Sequence, residues 1–270
     1  VATLTRITVY PIKSLDGVDL PSVRILPGGA LENDRRFALR DAARVYVNAK
    51  RTPAIHAVAA RFAADLSAVT LGLRDGSRAA TFPLTGGRDA LRPMEEWFSA
   101  HFGFRVFVAE DADLGFPDDT DAPGPTVVSE ATWSAVAGWY PGLSADETRR
   151  RFRANLEVGG ADVPAFWEDR LVPADEDGAV PLRIGDPNGA TGATLLGVNP
   201  CRRCPVPTRH PDTGEARPRF VDTFIARRRE TLPPWAPAGR FANSYRLTVN
   251  TRPADRSGGV LRVGDEVRVG

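Results

Sequence analysis

The feature that most constrains this chain lies in its first hundred residues. Short runs there, "LTRITVYP", "VDLPSVRILP", "RRFALR", "IHAVAARF" and "VTLGLRD", alternate apolar with polar residues. Successive side chains of a strand point to opposite faces, so a period of two marks a half-buried strand. Pro, Gly and Asp stand between the runs and end each of them. The pattern predicts antiparallel β structure with one interruption. In "ALRPMEEWFSAHFG", Leu91, Met94, Trp97, Phe98 and Phe102 recur at helical spacing and Gly103 follows as a stop. "FRVFVAE" then returns to strand.

Residues 111–126, "DADLGFPDDTDAPGPT", are acidic, rich in Pro and Gly and nearly devoid of strand formers. They read as a solvated loop or linker between domains. Beyond them Ser129 is placed to cap a helix carrying Trp133, Val136 and Ala137 on one face, and "SADETRRRF" offers a second capped helix. "FRANLEV" reads as a strand with Arg153 and Asn155 on one face. "VPLRIGD" and "VLRVGDEVRV" read as strand-turn elements, and "DTFIARRRE" as a short basic helix before a proline-rich loop. The fold expected is mostly β, of the α+β class: two β-barrel-like domains with a few helices. The first spans 1–110, the linker 111–126 and the second 127–270.

Composition sets bounds on function. The 270 residues are 42% hydrophobic and 26% charged, as in an ordinary globular protein. A formal net charge of +1 gives the whole molecule no electrostatic reason to seek nucleic acid or a membrane surface, so any cationic site must be local. No apolar run approaches the roughly 20 residues of a spanning helix, and the start lacks a basic-then-apolar signal pattern. The expectation is a soluble, cytoplasmic protein with neither nucleic acid nor membrane as partner.

Both cysteines, Cys201 and Cys204, fall in "NPCRRCPVPTRHPDTGE". Arg202, Arg203 and Arg209 stand close by, and neighbouring cations favour the ionised form of a thiol. A thioredoxin-type site needs a helix after the Cys-x-x-Cys, which Pro205 and Pro207 forbid. Zinc would take Cys201, Cys204 and His210, with Asp212 or water as fourth ligand. Two buried small hydrophobes are the plainest alternative. Elsewhere Lys13 and Ser14 follow a strand in "YPIKSLDG", and Arg35 and Arg36 precede one in "ENDRRF". Together with Arg153 and Asn155 they form the set of Lys, Arg, Asn and Ser that a phosphate-bearing, amide-rich cofactor would require.

The ordered series "YPIKS", "NDRRFAL", "VSEAT", "FRANLEV" and "NPCRRCPVPTRHPDTGE" spans nearly the whole chain. It resembles the MOSC superfamily with its MOSC N-terminal β-barrel domain, the group that contains the mitochondrial amidoxime-reducing component and its bacterial relatives. The resemblance implies a molybdenum cofactor, a molybdenum-pyranopterin, between two β-rich domains. It implies Cys204 as catalytic metal ligand, with Lys13, Ser14, Arg35, Ser129, Arg153, Asn155 and Arg203 around the cofactor. Cys201 receives no role beyond supporting the loop, and the Asp212-Thr213-Gly214 turn would hold that loop through Asp212 accepting backbone N–H groups. The implied activity is reduction of a small-molecule substrate of the N-hydroxylated or N-oxide type by oxygen-atom removal. With no cysteine after Cys204, electrons are expected from a separate electron-donor protein. A sulfur carrier or cofactor-handling module with a reactive cysteine is the alternative.

Overall fold

The computed structural model describes residues 1–186 and 192–270. Its largest element is a closed barrel of seven strands. Around the ring, Leu156–Gly159 lies beside Val127–Ser129, followed by Arg246–Pro253, Gly192–Arg202, Val180–Gly185, Glu266–Val269 and Ala2–Val9. Ala2–Val9 then pairs with Leu156–Gly159 and shuts the ring, which leaves no open edge in this circuit. Neighbours are antiparallel except Leu156–Gly159 with Val127–Ser129.

The first strand is therefore a stave of a barrel built otherwise from the second half of the chain, with Thr3 opposite Gly159 on one side and Ala2 opposite Val267 on the other. The pair Ser22–Ile25 and Gly259–Arg262 repeats this long-range pairing beside the barrel. One apolar core accordingly joins Leu4, Ile7, Val23 and Ile25 to Leu182, Leu195, Val249 and Leu261.

A second core lies within the first 110 residues. Phe37–Asp41 pairs with Val106–Glu110, and Val58–Phe62, Ala68–Leu73 and Ala80–Pro83 form an antiparallel three-stranded sheet. The helix Arg92–Phe102 buries Met94 and Phe98 in this core and ends at Gly103, whose φ of 75° favours a residue without Cβ. A third, aromatic layer packs the helices Glu130–Ala137, Ala145–Phe152 and Phe220–Glu230 together through Trp133, Phe152, Phe220 and Phe224, in one cluster with Tyr245 just before the strand Arg246–Pro253. Among the described residues no helix is long and apolar enough to cross a membrane.

Two local expectations change. "FRANLEV" becomes strand only at Leu156. The basic run before it continues the helix to Phe152, and Arg153 ends that helix in the left-handed region at φ 56°. Arg153 and Asn155 are thus not related by strand alternation. Ser129 does start a helix, but its hydroxyl contacts Thr132 Oγ1 and the Pro164 carbonyl, both at 2.9 Å, and caps nothing. Ser144 caps as expected, accepting from the Glu147 N–H at 3.0 Å.

Candidate functional site

A cavity of about 1010 Å³ opens between the barrel and the smaller core. The turns after the first strand, residues 114–126, the end of the helix Ala145–Phe152 and the cysteine loop all contribute walls. Among the described residues the lining carries eleven arginines and two lysines against six aspartates. In a protein of net charge +1 this is a concentrated local surplus, and a walled cleft focuses such a field on a ligand of opposite sign.

Tyr10 forms one side. It is 4% exposed, its N–H donates to Asp34 Oδ1 at 2.8 Å and its hydroxyl donates to the Ala154 carbonyl at 3.3 Å. Burial pushes its phenol up to about 12, so it stays protonated and remains a donor. The Arg153 guanidinium lies 4.0 Å from the Tyr10 ring centroid, a cation–π contact. No hydrogen-bond acceptor holds that guanidinium among the described residues. Burial lowers the Arg153 pKa, and Tyr10 offsets this only in part.

Arg35, at φ 50°, pairs with Asp34 at 2.5 Å and donates its backbone N–H to the Tyr10 carbonyl at 2.8 Å. Lys13 reaches Asp118 at 3.1 Å and the Phe116 carbonyl at 2.7 Å. Burial lowers the Lys13 pKa against the pull of Asp118. Ser14, also in the left-handed region at φ 75°, accepts the Ala49 N–H at 3.3 Å.

Residues 111–126 behave differently from a solvated linker. Asp118 binds Lys13 and Lys50, while Asp119 accepts from Asn250 at 2.9 Å and Asn199 at 3.3 Å. Burial works to raise the Asp118 pKa, but Lys13, Arg35 and Lys50 outweigh it and hold the carboxyl below the usual range. Gly115, at φ 68°, lies so close to the Asp34 carbonyl that a Cβ would stand 2.6 Å from it. The segment is a fitted wall, and its acidity is used against the cations beneath it.

The cysteine loop leaves the end of the strand Gly192–Arg202. Cys201 Sγ accepts from Arg203 Nη1 at 3.2 Å, and Arg203 Nη2 donates to the Phe152 carbonyl at 2.6 Å. Cys204 Sγ has no hydrogen-bond partner among the described residues, and both thiols are free and half-buried. A 3-10 turn, Val206–Thr208, leads into a hairpin in which the His210 N–H donates to the Glu215 carbonyl at 2.7 Å and Gly214 turns at φ 73°. Asp212 does not accept the backbone N–H groups expected of it. Its carboxylate takes Arg74 at 3.0 Å, and Arg150. Arg74 also binds Asp16 at 2.7 Å and the His56 carbonyl, and His56 Nδ1 lies 3.3 Å from the Pro211 carbonyl. Ion pairing wins because two guanidiniums from other elements converge on the turn, and together these contacts fasten the hairpin to the smaller core.

Lys13, Ser14, Arg35, Arg153, Arg203, Cys201 and Cys204 thus share one cavity. Ser129 and Asn155 do not line it. Ser129 is fully buried and gives its N–H to Glu168 Oε2 at 3.0 Å. Asn155 Nδ2 donates to the Thr8 carbonyl at 3.0 Å, and its Oδ1 accepts the Thr126 N–H and hydroxyl at 3.2 Å each, so it stitches the first strand to its neighbours. The alternative zinc set of Cys201, Cys204 and His210 finds no counterpart: no group of three or more His, Cys, Asp or Glu side chains is arranged to hold a metal among the described residues. Sequence reasoning passed over Tyr10, Asp34 and Asp118. The first two lie within the quoted motifs "YPIKS" and "NDRRFAL", whereas nothing local to Asp118 signals its partner Lys13 more than a hundred residues away.

Models of two protein families match the chain. The MOSC N-terminal beta barrel domain matches residues 1–104, and the MOSC domain matches residues 126–268. No curated protein matches it.

Proposed function

We propose, from the premise that the chain belongs to the MOSC superfamily, that it is a molybdenum-cofactor oxidoreductase removing oxygen from N-hydroxylated or N-oxide-type substrates. MOSC domains are associated with molybdenum-cofactor proteins of the sulfurase and reductase type. The observation that carries the proposal is the cationic surplus around a cavity onto which the unpartnered Cys204 also opens.

These residues suit an anionic pyranopterin. Arg153 is laid on Tyr10 with its hydrogen-bond donors unspent, and Lys13 and Arg35 line the same cavity. Guanidinium forks are suited to gripping phosphate, and a thiolate is a soft ligand for a redox metal. In this reading Lys13, Arg35 and Arg153 hold the phosphate and pterin, and Cys204 holds the metal. The group, when bound, supplies the two-electron chemistry of oxygen removal.

The chain's own residues orient and enclose it. Asp34 steadies Arg35, protonated Tyr10 keeps Arg153 flat, and Asp118 with Lys13 draws the wall of residues 111–126 over the site. Arg203, already committed to Cys201 and the Phe152 carbonyl, fixes the path of the loop. Ser129 and Asn155 act from outside the lining as braces.

The test is expression in a cofactor-competent host, with molybdenum content and amidoxime reduction measured for wild type and Cys204→Ser. Near-stoichiometric molybdenum in wild type, with turnover abolished in a folded Cys204→Ser, is the expected result. Zinc in place of molybdenum, or sulfur transfer with neither metal, overturns the reading.

A further inference from the structure

A second cationic group stands on the Cys201 side of the cavity. Arg202 and Arg246 face each other directly in the ladder between Gly192–Arg202 and Arg246–Pro253, and both line the cavity. Directly opposed residues of antiparallel strands hold their Cβ atoms about 4.5–5.5 Å apart, and like charges there repel. No carboxylate pairs with either among the described residues. Arg246 spends Nη1 on the Pro200 carbonyl at 2.8 Å, while its Nε is buried without a partner. Nearby Arg240 is committed to the carbonyls of Pro173, Asp175 and Val198. Contrast the Tyr10 side, where Asp34 and Asp118 balance Arg35 and Lys13.

The two groups have different neighbours: burial first, then Arg202 and Arg240, lower the Arg246 pKa against Cys201 and Glu176, whereas beside burial the charged groups acting on Arg153 are Arg35, Asp16 and Asp34. An exposed guanidinium set opposite a half-buried one, with no carboxylate in ion-pair contact with either among the described residues, is a ready receptor for a compact anion.

We propose that Arg202 and Arg246 form an anion subsite for the substrate, so that the compound reduced here carries a carboxylate or similar compact anion besides its N–O group. The word substrate rests on the oxidoreductase reading above; the anion site itself does not. The competing source of the same chemistry is the phosphate of the cofactor.

Calorimetry on molybdenum-loaded protein with 4-carbamoylbenzoate and benzamide, inert amides with and without a carboxylate, tests the subsite. The carboxylate is expected to bind at least about tenfold more tightly to wild type, as one charge-assisted hydrogen bond provides. Arg202→Gln and Arg246→Gln should each remove most of that preference, and Arg202→Lys should keep part of it. Equal binding of the two amides to wild type, or an undiminished preference in both glutamine variants, overturns the proposal. Molybdenum lost from Arg202→Gln also overturns it, assigning the pair to the cofactor. If the preference holds in wild type and falls in the variants but neither amidoxime counterpart is reduced, the oxidoreductase reading fails while the anion subsite stands.

Discussion

Two clusters of buried charge sit in this molecule, and they are finished in opposite ways. Beside the helix Phe220–Glu230, Arg228 and Asp169 pair at 2.5 Å with side chains only 1% and 2% exposed. Glu168, next to them, accepts from the Ser129 N–H and the Thr132 hydroxyl, and the Arg228 guanidinium is flanked by Phe166 and Phe241. That cluster is closed and largely satisfied from within. The cavity cluster has more cations than carboxylates, and Arg153 has an aromatic face but no acceptor. A protein that could match Arg228 to Asp169 had the means to match Arg153. That it leaves cations uncompensated around a cleft marks the cleft, and not the closed cluster, as the place for an anionic ligand.

The comparison breaks most visibly at Arg228. Arg228→Met should cost about 3–5 kcal/mol of stability, because removing one partner leaves a buried charge uncompensated. The loss should appear equally in apo and cofactor-loaded protein by denaturant titration. A loss confined to loaded protein would place Arg228 with the cavity.

Lys13 sharpens the contrast at middle range. Lys13→Met should cost about 1.5–3 kcal/mol through its charged contacts to Asp118 and the Phe116 carbonyl, and should hasten proteolysis within residues 111–126. An unchanged cleavage rate there would mean that the wall is held by Asp119 and its asparagines alone.

Glu168 gives the smallest effect at any single step of pH. Burial first and then Asp169 raise its pKa to about 7, whereas an unfolded Glu titrates near ~4.3. Between these values the folded state binds more protons, so stability from this group is present at low pH and is lost as pH rises toward 7, by at most about 1.4 kcal/mol per unit. Glu168→Gln should flatten melting temperature against pH across that window. An identical slope in the variant would show that another group carries it.

The sequence made part of this arrangement legible. Strands with a polar face announced themselves through alternation, and the helix Arg92–Phe102 through its apolar spacing and Gly103, because those signals are local. Motif order brought Lys13, Arg35, Arg153, Arg203 and Cys204 onto one list before the cavity that they share was seen. Hidden were the features that need distant partners: the first strand crossing to Leu156–Gly159, Asp118 meeting Lys13, Asp169 meeting Arg228. Residues 111–126 look like linker because acidity and proline say nothing of the cations waiting beneath them. Arg153 was misread locally since a helix running into its left-handed end carries the same letters as an alternating strand.

The central claim is that Arg153, with the cations on the Tyr10 side of the cavity, holds an anionic cofactor, and Arg153→Ala tests it most directly. A ligand that binds only the folded state adds stability according to its occupancy, so the gap in melting temperature between loaded and apo protein reports the grip. Measured together with molybdenum per chain, that gap should shrink as cofactor affinity falls about ten- to a hundredfold and molybdenum content falls with it, while the apo melting temperature stays near wild type. Wild-type molybdenum content with an unchanged gap in Arg153→Ala would contradict the account.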